Sequence, residues 1–229
     1  MLTEKEINKY AAIELPAYLQ TAISKAKVLG TLKEFKLGLG EVYVLNDGIG
    51  RTQICLRGYI DSLDLTCEDN KEIADTFRSL TGNIAVISYA FVGSTEGWFK
   101  GVTASTIDLA CAPLIDCVNT TSMFEDCKVD RLYFNGLWQG NRVINADRMF
   151  CNSDIKTINF DRFEGSRLET ANEMFKGCKA SHIGLKSFKP KNLLQCEDMF
   201  LNCNANILTS AESLNLIYNR FHKERVKPR

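Results

Sequence analysis

Nine cysteines and two histidines carry most of this chain's capacity for metal or redox chemistry. Cys127, Cys178 and Cys203 each stand three residues after the Phe of a Met-Phe pair, and Ser153 takes that place after a fourth pair. A structural zinc needs converging ligands, usually with two cysteines about two to four residues apart, and the chain has no Cys-x-x-Cys. The repeating positions, filled by Val102 in an earlier unit, therefore read as a buried ladder of small side chains, with reduced thiols and no metal. Cys111 and Cys117 fall outside that ladder and are expected only to fill loops. His182 sits where a strand residue would point outward, and His222 lies in a basic tail. No Gly-x-Ser-x-Gly, phosphate-binding glycine loop or His-Glu-x-x-His accompanies them, which predicts a protein that is not an enzyme and holds no cofactor or metal.

The chemistry that remains is recognition. Asp108, then Arg131, Tyr133 and Asn135, then Thr157, Asn159 and Asp161, then His182 and Lys186 flank short apolar runs at positions that alternate away from buried strand residues. Stacked strands would join them into one protein-binding face. Tyr and Arg dominate interface hot spots, so Tyr133 with Arg131 is its strongest part. A second cluster, Arg220, Lys223, Arg225, Lys227 and Arg229, closes the sequence. It has no interleaved aromatics for base stacking, and its cations suit the C-terminal end of a helix dipole. With 28 basic and 28 acidic residues the chain has no net charge, which argues against nucleic acid or an anionic membrane as partner. No run of apolar residues reaches the length of a membrane span.

Positioning such a face is the task of a repeat. Met123-Phe124, Met149-Phe150, Met174-Phe175 and Met199-Phe200 recur at steps of 26, 25 and 25 residues, counted from the Phe. Eight and ten residues after the first three Phe come Leu132 and Phe134, Ile158 and Phe160, and Ile183 and Leu185; thirteen after come Leu137, Phe163 and Phe188. A fixed period of this size marks units that bury their apolar faces against their neighbours. Within a unit the apolar spacing switches from two (Ile158, Phe160) to three and four (Leu168, Ala171, Met174, Phe175, Cys178). That predicts a strand followed by about two helical turns, with the strands stacked in parallel and the Phe side chains in one buried line. Thr120, Ala146, Ala171 and Cys196, four residues before each Phe, are small, as expected where a helix presses on the sheet. Weaker copies around Phe99 (with Ile107, Leu109) and Phe77 (with Ile84, Val86) extend the repeat to six coils over residues 74–208.

The flanks read as caps. Residues 1–40 form a helical N-terminal cap, begun by a capping box at Thr3 and Glu6, interrupted at Pro16 and stopped at Gly30. Residues 41–73 hold a hairpin turned at Asn46-Asp47-Gly48 and a further short strand at Leu63-Asp64-Leu65. Residues 209–229 form a C-terminal capping helix, begun by a second capping box at Thr209 and Glu212, and the basic tail.

The form Ala-x-x-Met-Phe-x-x-Cys, complete from Ala171 to Cys178 and nearly so from Ala146 to Ser153, is followed by Ile-x-Leu or Ile-x-Phe. It resembles the leucine-rich repeats of BspA-type bacterial surface proteins over about residues 74–208. The resemblance implies an α/β leucine-rich-repeat solenoid with a stacked parallel β-sheet, and an extracellular, non-enzymatic, adhesive or protein-binding role. The start, Met1-Leu2-Thr3-Glu4-Lys5-Glu6, has no basic region leading into an apolar stretch, so the expected location is cytoplasmic. The leading expectation is thus a non-enzymatic binding or scaffold protein that acts on another protein through its solenoid surface. Its alternative is a phage virion structural or host-recognition subunit, homo-oligomeric or in contact with other virion components. Behind both stands a phage-encoded inhibitor of a host enzyme.

Overall fold

The computed structural model describes residues 2–134, 136 and 138–209. Two helices, α1 (Glu4–Ala11) and α2 (Ala17–Val28), precede strands β1 (Leu32–Leu37), β2 (Leu39–Asn46) and β3 (Arg51–Ile60). A short 3-10 turn leads into α3 (Lys71–Arg78), followed by β4 (Asn83–Val92), β5 (Thr103–Cys111), β6 (Lys128–Phe134) and β7 (Asp154–Ile155). Strands β8 (Thr157–Asn159), β9 (His182–Leu185) and β10 (Asn206–Thr209) complete the described chain. The result is a mixed α/β protein with a seven-stranded sheet in the order β1 to β7 and a three-stranded sheet β8-β9-β10. The break between them falls at Lys156, where the strand is interrupted.

The first three strands form an antiparallel meander; from β3 onward every pairing is parallel. The hairpin turn forms as its residue types demand. Asn46 Oδ1 accepts the Gly48 N–H at 2.8 Å, and Asp47 Oδ1 accepts those of Ile49 and Arg51 at 2.9 and 3.0 Å. Gly48 supplies the positive φ of 76° that the turn requires. The run at Leu63 and Leu65, expected as a strand, is a buried loop: Leu63 O accepts from Trp98 Nε1 and the Leu65 N–H donates to Glu96 O, instead of joining a strand ladder.

The core is one continuous stack of aromatic rings. Phe99, Phe124, Phe150, Phe175 and Phe200 follow one another at centroid spacings of 5.6, 5.2, 5.4 and 5.3 Å, within 11° of parallel. The first four are fully buried, and Phe200 is half-buried at the last unit described. Phe163 and Phe188 form a shorter second stack at 6.2 Å. The expected small positions, Thr120, Ala146, Ala171 and Cys196, are all buried.

The segments around the stacked Phe residues are not helical, which corrects the expectation of two helical turns. Each carries a left-handed residue two places before and two places after the Phe: Ser122 and Asp126, Arg148 and Asn152, Glu173 and Gly177, Asp198 and Asn202, with φ between 53° and 65°. Alternate N–H groups bond locally, as Met123 to Thr120 O and Cys127 to Phe124 O. Those between them donate to the next unit. The Phe99, Phe124, Phe150 and Phe175 N–H groups meet the carbonyls of Met123, Met149, Met174 and Met199, each at 2.8 Å. Consecutive tight turns produce the same three-and-four apolar spacing as a helix, but they free half the donors for the neighbouring unit.

The N-terminal helices are also placed differently from the expectation. Residues 32–37, read as part of a helical cap, are an edge strand, because they pair antiparallel with β2 along their length. Leu19 and Ala26 of α2 pack on Tyr43, Leu45 and Cys55, the face of β2 and β3 opposite the aromatic core. The helices therefore cover the outer face of the sheet at β2–β4. Tyr10 Oη donates to Asp116 at 3.1 Å and Arg57 Nε to Ile13 O at 2.8 Å, fixing the helical segment there. The expected C-terminal helix and basic tail lie outside the described residues, as do Asn135 and Leu137.

Charged side chains link the turns outside the core. Glu125, 4% exposed, pairs with Lys100 at 3.0 Å and with Arg148; Arg148 reaches Glu173, and Lys176 joins Glu173 to Asp198. Burial raises the Glu125 carboxyl, but bonds from Arg148, Ser122 and Lys100 more than offset it and hold the pKa at about 2.

Two outcomes follow from the core and this network. Phe150→Ala should lower the unfolding free energy by about 3–5 kcal/mol in urea titrations, and Phe200→Ala by less, since its ring is only partly enclosed. Because the folded state depresses the Glu125 pKa below its ordinary 4.5, its stabilisation is present above that value and is lost as pH falls toward about 2. The stability gap between wild type and Glu125→Gln should therefore be widest near neutrality and close on acidification. A pH-independent gap would show that the charge on Glu125 contributes nothing.

Candidate functional site

Strand alternation gives the outer face two rows. Arg51, Asn83, Thr106 and Arg131 are successive Cα partners, as are Gln53, Ala85, Asp108 and Tyr133. In the smaller sheet Thr157 pairs with His182 and His182 with Asn206, while Asn159 pairs with Gly184 and Gly184 with Leu208. Of the residues expected on this face, Arg131, Tyr133, Thr157, Asn159, His182 and Lys186 are exposed, and Asp108 and Asp161 are half-buried. The structure does bring neighbours together: Asp108 lies beside Tyr133, and Lys186 Nζ donates to Asp161 Oδ2 at 2.9 Å. Ahead of these residues, at β2–β4, the same face is covered by the N-terminal helical segment.

Tyr133, Asn159 and Asp161 line a recess of about 360 Å³, together with Trp138 and Arg162. Its inner wall is aromatic. Trp138 is 4% exposed and packs against Phe134, Phe160 and Phe163 at centroid distances of 5.5, 5.7 and 5.6 Å. Gly140 permits this arrangement, since a Cβ there would lie 1.9 Å from the Phe163 ring. At the rim, the Arg162 guanidinium donates to Gly136 O at 3.1 Å, and Asp161 N–H donates to Asn159 Oδ1 at 3.2 Å. Asp161 lies close over the backbone of Gly184, where a side-chain Cβ would come within 2.5 Å of Oδ1. Among the described residues, Asp161 Oδ1 and Trp138 Nε1 are both buried and have no hydrogen-bond partner. The other tryptophan is different: Trp98 Nε1 donates to Leu63 O at 3.0 Å.

A second concavity, about 610 Å³, opens where α2 overhangs the sheet, lined in part by Lys25, Leu29, Leu45, Arg51, Ile84 and Asp108. Asp108 thus belongs to this groove as well as to the strand row. Its Oδ1 accepts the Ala110 N–H at 2.8 Å, so the carboxylate is engaged by its own strand. The residues expected on the face from sequence include Tyr133, Asn159 and Asp161 of this recess, but not Trp138, Arg162 or the groove. Trp138 lies outside the repeat positions; a large aromatic beside the period, at the end of a strand, was the available signal.

The remaining titratable groups of the face are weakly placed for catalysis. His182 Nδ1 pairs with Ser181 Oγ at 3.1 Å, and Asp161 is tied to Lys186. Among the described residues no group of three or more His, Cys, Asp or Glu side chains is placed to hold a metal ion, and no helix is long and apolar enough to cross a membrane. The described residues include all nine cysteines, and none of them forms a disulfide. Burial pushes the Cys127 thiol up to about 12 and Cys117 to about 11. Along the ladder, Ser153 Oγ donates to Cys178 Sγ at 3.4 Å. Cys178 in turn hydrogen-bonds Cys203, which raises its own pKa and lowers that of Cys203.

Comparison with protein-family models, with curated proteins and with solved structures found no match. The site therefore rests on its own geometry.

The thiols give a direct check of this arrangement. In the native protein iodoacetamide should label Cys67 and Cys111, which are exposed, then Cys203, while Cys55, Cys117, Cys127, Cys151, Cys178 and Cys196 stay protected until unfolding. Rapid native labelling of Cys127 or Cys178 would contradict the buried ladder.

Proposed function

We propose that the 25-residue units form a leucine-rich-repeat solenoid similar to those of BspA-type proteins, and that the protein binds another protein through its outer strand face without catalysing a reaction. Parallel pairing, the ring stack and the unit-to-unit turn bonds support the repeat assignment. The observation that carries the binding assignment is Tyr133. It is 47% exposed on the open part of the face and stands at a recess with a buried aromatic wall. An exposed aromatic beside a pocket is the arrangement in which hot spots concentrate, and Arg131, exposed on the same strand, lies next to it in the face. Non-catalytic binding is favoured because the acids and the histidine of the face are committed to local partners.

The test is a photo-crosslinking residue at position 133, with one at Glu68, exposed outside the strand face, as reference. A partner captured from position 133 but not 68 should lose roughly 2 kcal/mol of affinity, about thirtyfold, in the Arg131→Ala, Tyr133→Ala double variant, with the fold intact by circular dichroism. Removal of Lys223 to Arg229 should leave binding unchanged. The reverse pattern would move the interface to the tail.

A further inference from the structure

Strand β1 closes one end of the seven-stranded sheet, and among the described residues no strand lies beyond it. Its hydrogen-bonding parity is fixed from inside. The Asn46 N–H donates to Thr31 O at 3.2 Å, so these two form a bonded pair, and the alternation makes Lys33, Phe35 and Leu37 bonded partners of β2 as well. The backbone groups of Leu32, Glu34 and Lys36 therefore point away from β2, along an open edge. Such a row of donors and acceptors is a template for another strand. The side chains divide by the same alternation. Lys33 Nζ donates to Thr76 Oγ1 at 3.1 Å, and Phe35 and Leu37 pack on the aromatic core, whereas Leu32 packs with α2 on the outer face. Glu34 and Lys36 share that outer face and are exposed. Large apolar side chains stand open at both ends of the strand. Val28 and Leu29, just before it, are 87% and 74% exposed, and Leu39, just after it, is 56% exposed.

We infer that β1 pairs antiparallel with β1 of a second copy of this chain, about a two-fold axis at Phe35. Bonds across the edge require outward residues to meet outward residues, so Leu32, Glu34 and Lys36 can face only one another. The axis then passes through a residue of the strand. At Leu32 or Leu37 the two strands would barely overlap. At Lys33, Glu34 or Lys36 it would set that charge directly against its own copy, which is unfavourable. At Phe35 it sets Glu34 against Lys36 twice and brings the two Phe35 rings together at a non-bonded pair, where side chains come closest. Lys36 is available for this pairing. Within its own chain it stands across from Glu41, whose carboxylate is already held by Arg57 at 3.2 Å and by Tyr43 Oη at 2.7 Å. The same register puts Thr31 of one copy opposite Leu39 of the other. Leu39 lies on the outer face by alternation with Tyr43 and Leu45, so it comes to the exposed Val28 and Leu29 at the end of the other copy's α2. Like charges along an edge keep other strands away; here the charges alternate to suit one partner. The contact is isologous, and its small size predicts a dissociation constant in the micromolar range.

This inference is independent of the Tyr133 face. Its test is sedimentation velocity of the full chain from low micromolar to near-millimolar concentration. Wild type should pass from monomer to dimer, and a monomer at every concentration would overturn the inference. Glu34→Lys and Lys36→Glu should each raise the dissociation constant at least tenfold, because each sets like charges opposite one another at two places. The variant carrying both exchanges restores opposite charges at both places and should return to the wild-type value. Glu34→Pro removes an outward N–H, which an edge strand tolerates, so circular dichroism should be unchanged while the dimer is lost. If that variant does not fold, the charge exchanges, both at exposed positions, decide the matter alone. A dimer indifferent to a folded Glu34→Pro lies elsewhere on the molecule. Single exchanges that weaken the dimer without rescue in the double variant rule out the register at Phe35. Either result would overturn the inference.

Discussion

The backbone bonds that leave one unit and land on the next fix the rest of this structure. In each unit the N–H of the stacked Phe donates to the carbonyl of the Met that precedes the next stacked Phe. The N–H groups two places to either side bond outward in the same way, as Ser122 to Asp147 O and Asp126 to Cys151 O. To aim alternate donors along the stack the chain must enter the left-handed region twice per unit. For residues other than glycine that conformation costs about 1 kcal/mol. Asp and Asn, which after glycine tolerate it best, stand at Asp126, Asn152, Asp198 and Asn202, with Ser122 at another place and Gly97, Gly101 and Gly177 at three more. Arg148 and Glu173 also adopt it, and they are the two side chains that carry the charge network from Glu125 toward Lys176. The strain is thus local, while the bonds it permits run the length of the stack.

Once the turns are in register, the ring spacing follows. Parallel units held at a backbone-bond distance bring equivalent Phe side chains to between 5.2 and 5.6 Å, close enough to lie face over face. Phe134 and Phe160 meet those rings edge-on at 5.9 and 5.4 Å, closing the space between turn ribbon and sheet. With the inward strand positions occupied by that core, the strands turn their other side chains to the outer face. Its first part is apolar, at Tyr43, Leu45 and Cys55, and would be unstable in water. The helices α1 and α2 cover it, and in doing so they raise one wall of the larger groove.

Much of this was legible from residue types. The period, the stacked Phe residues, the strand positions at Leu132, Ile158 and Ile183, the hairpin at Asn46-Asp47-Gly48 and the capping box at Thr3 are all found where the sequence places them. The turn ribbon was misread because consecutive turns and a helix share the three-and-four spacing of Leu168, Ala171, Met174 and Cys178. What separates them is the small, polar or glycine character of the positions two away from the Phe, at Gly97, Gly101, Ser122, Asp126, Asn152, Gly177 and Asn202. Arg148 and Glu173 blur that signal. The position of α2 was illegible for a different reason: an amphipathic helix shows that it covers something apolar, but not which face of the sheet supplies it.

The recess marks where the repeating units depart from strict repetition. A perfect repeat would present the same side chains in every unit, and its face would grip nothing in particular. Here the unit boundary between β6 and β8 departs from the pattern at several linked places. Trp138 adds a ring that the period does not call for, and Gly140 makes room for Phe163 beneath it. One unit on, Gly184 takes the row position that Asn159 holds, so the Asp161 carboxylate can settle against bare backbone. Each change would weaken a structure whose only task was to stack. Glycine in a strand gives up side-chain contacts, and a buried indole without a partner forgoes a hydrogen bond. Trp138 and Asp161 both line the recess beside the exposed Tyr133, and a stacking requirement alone does not explain that placement.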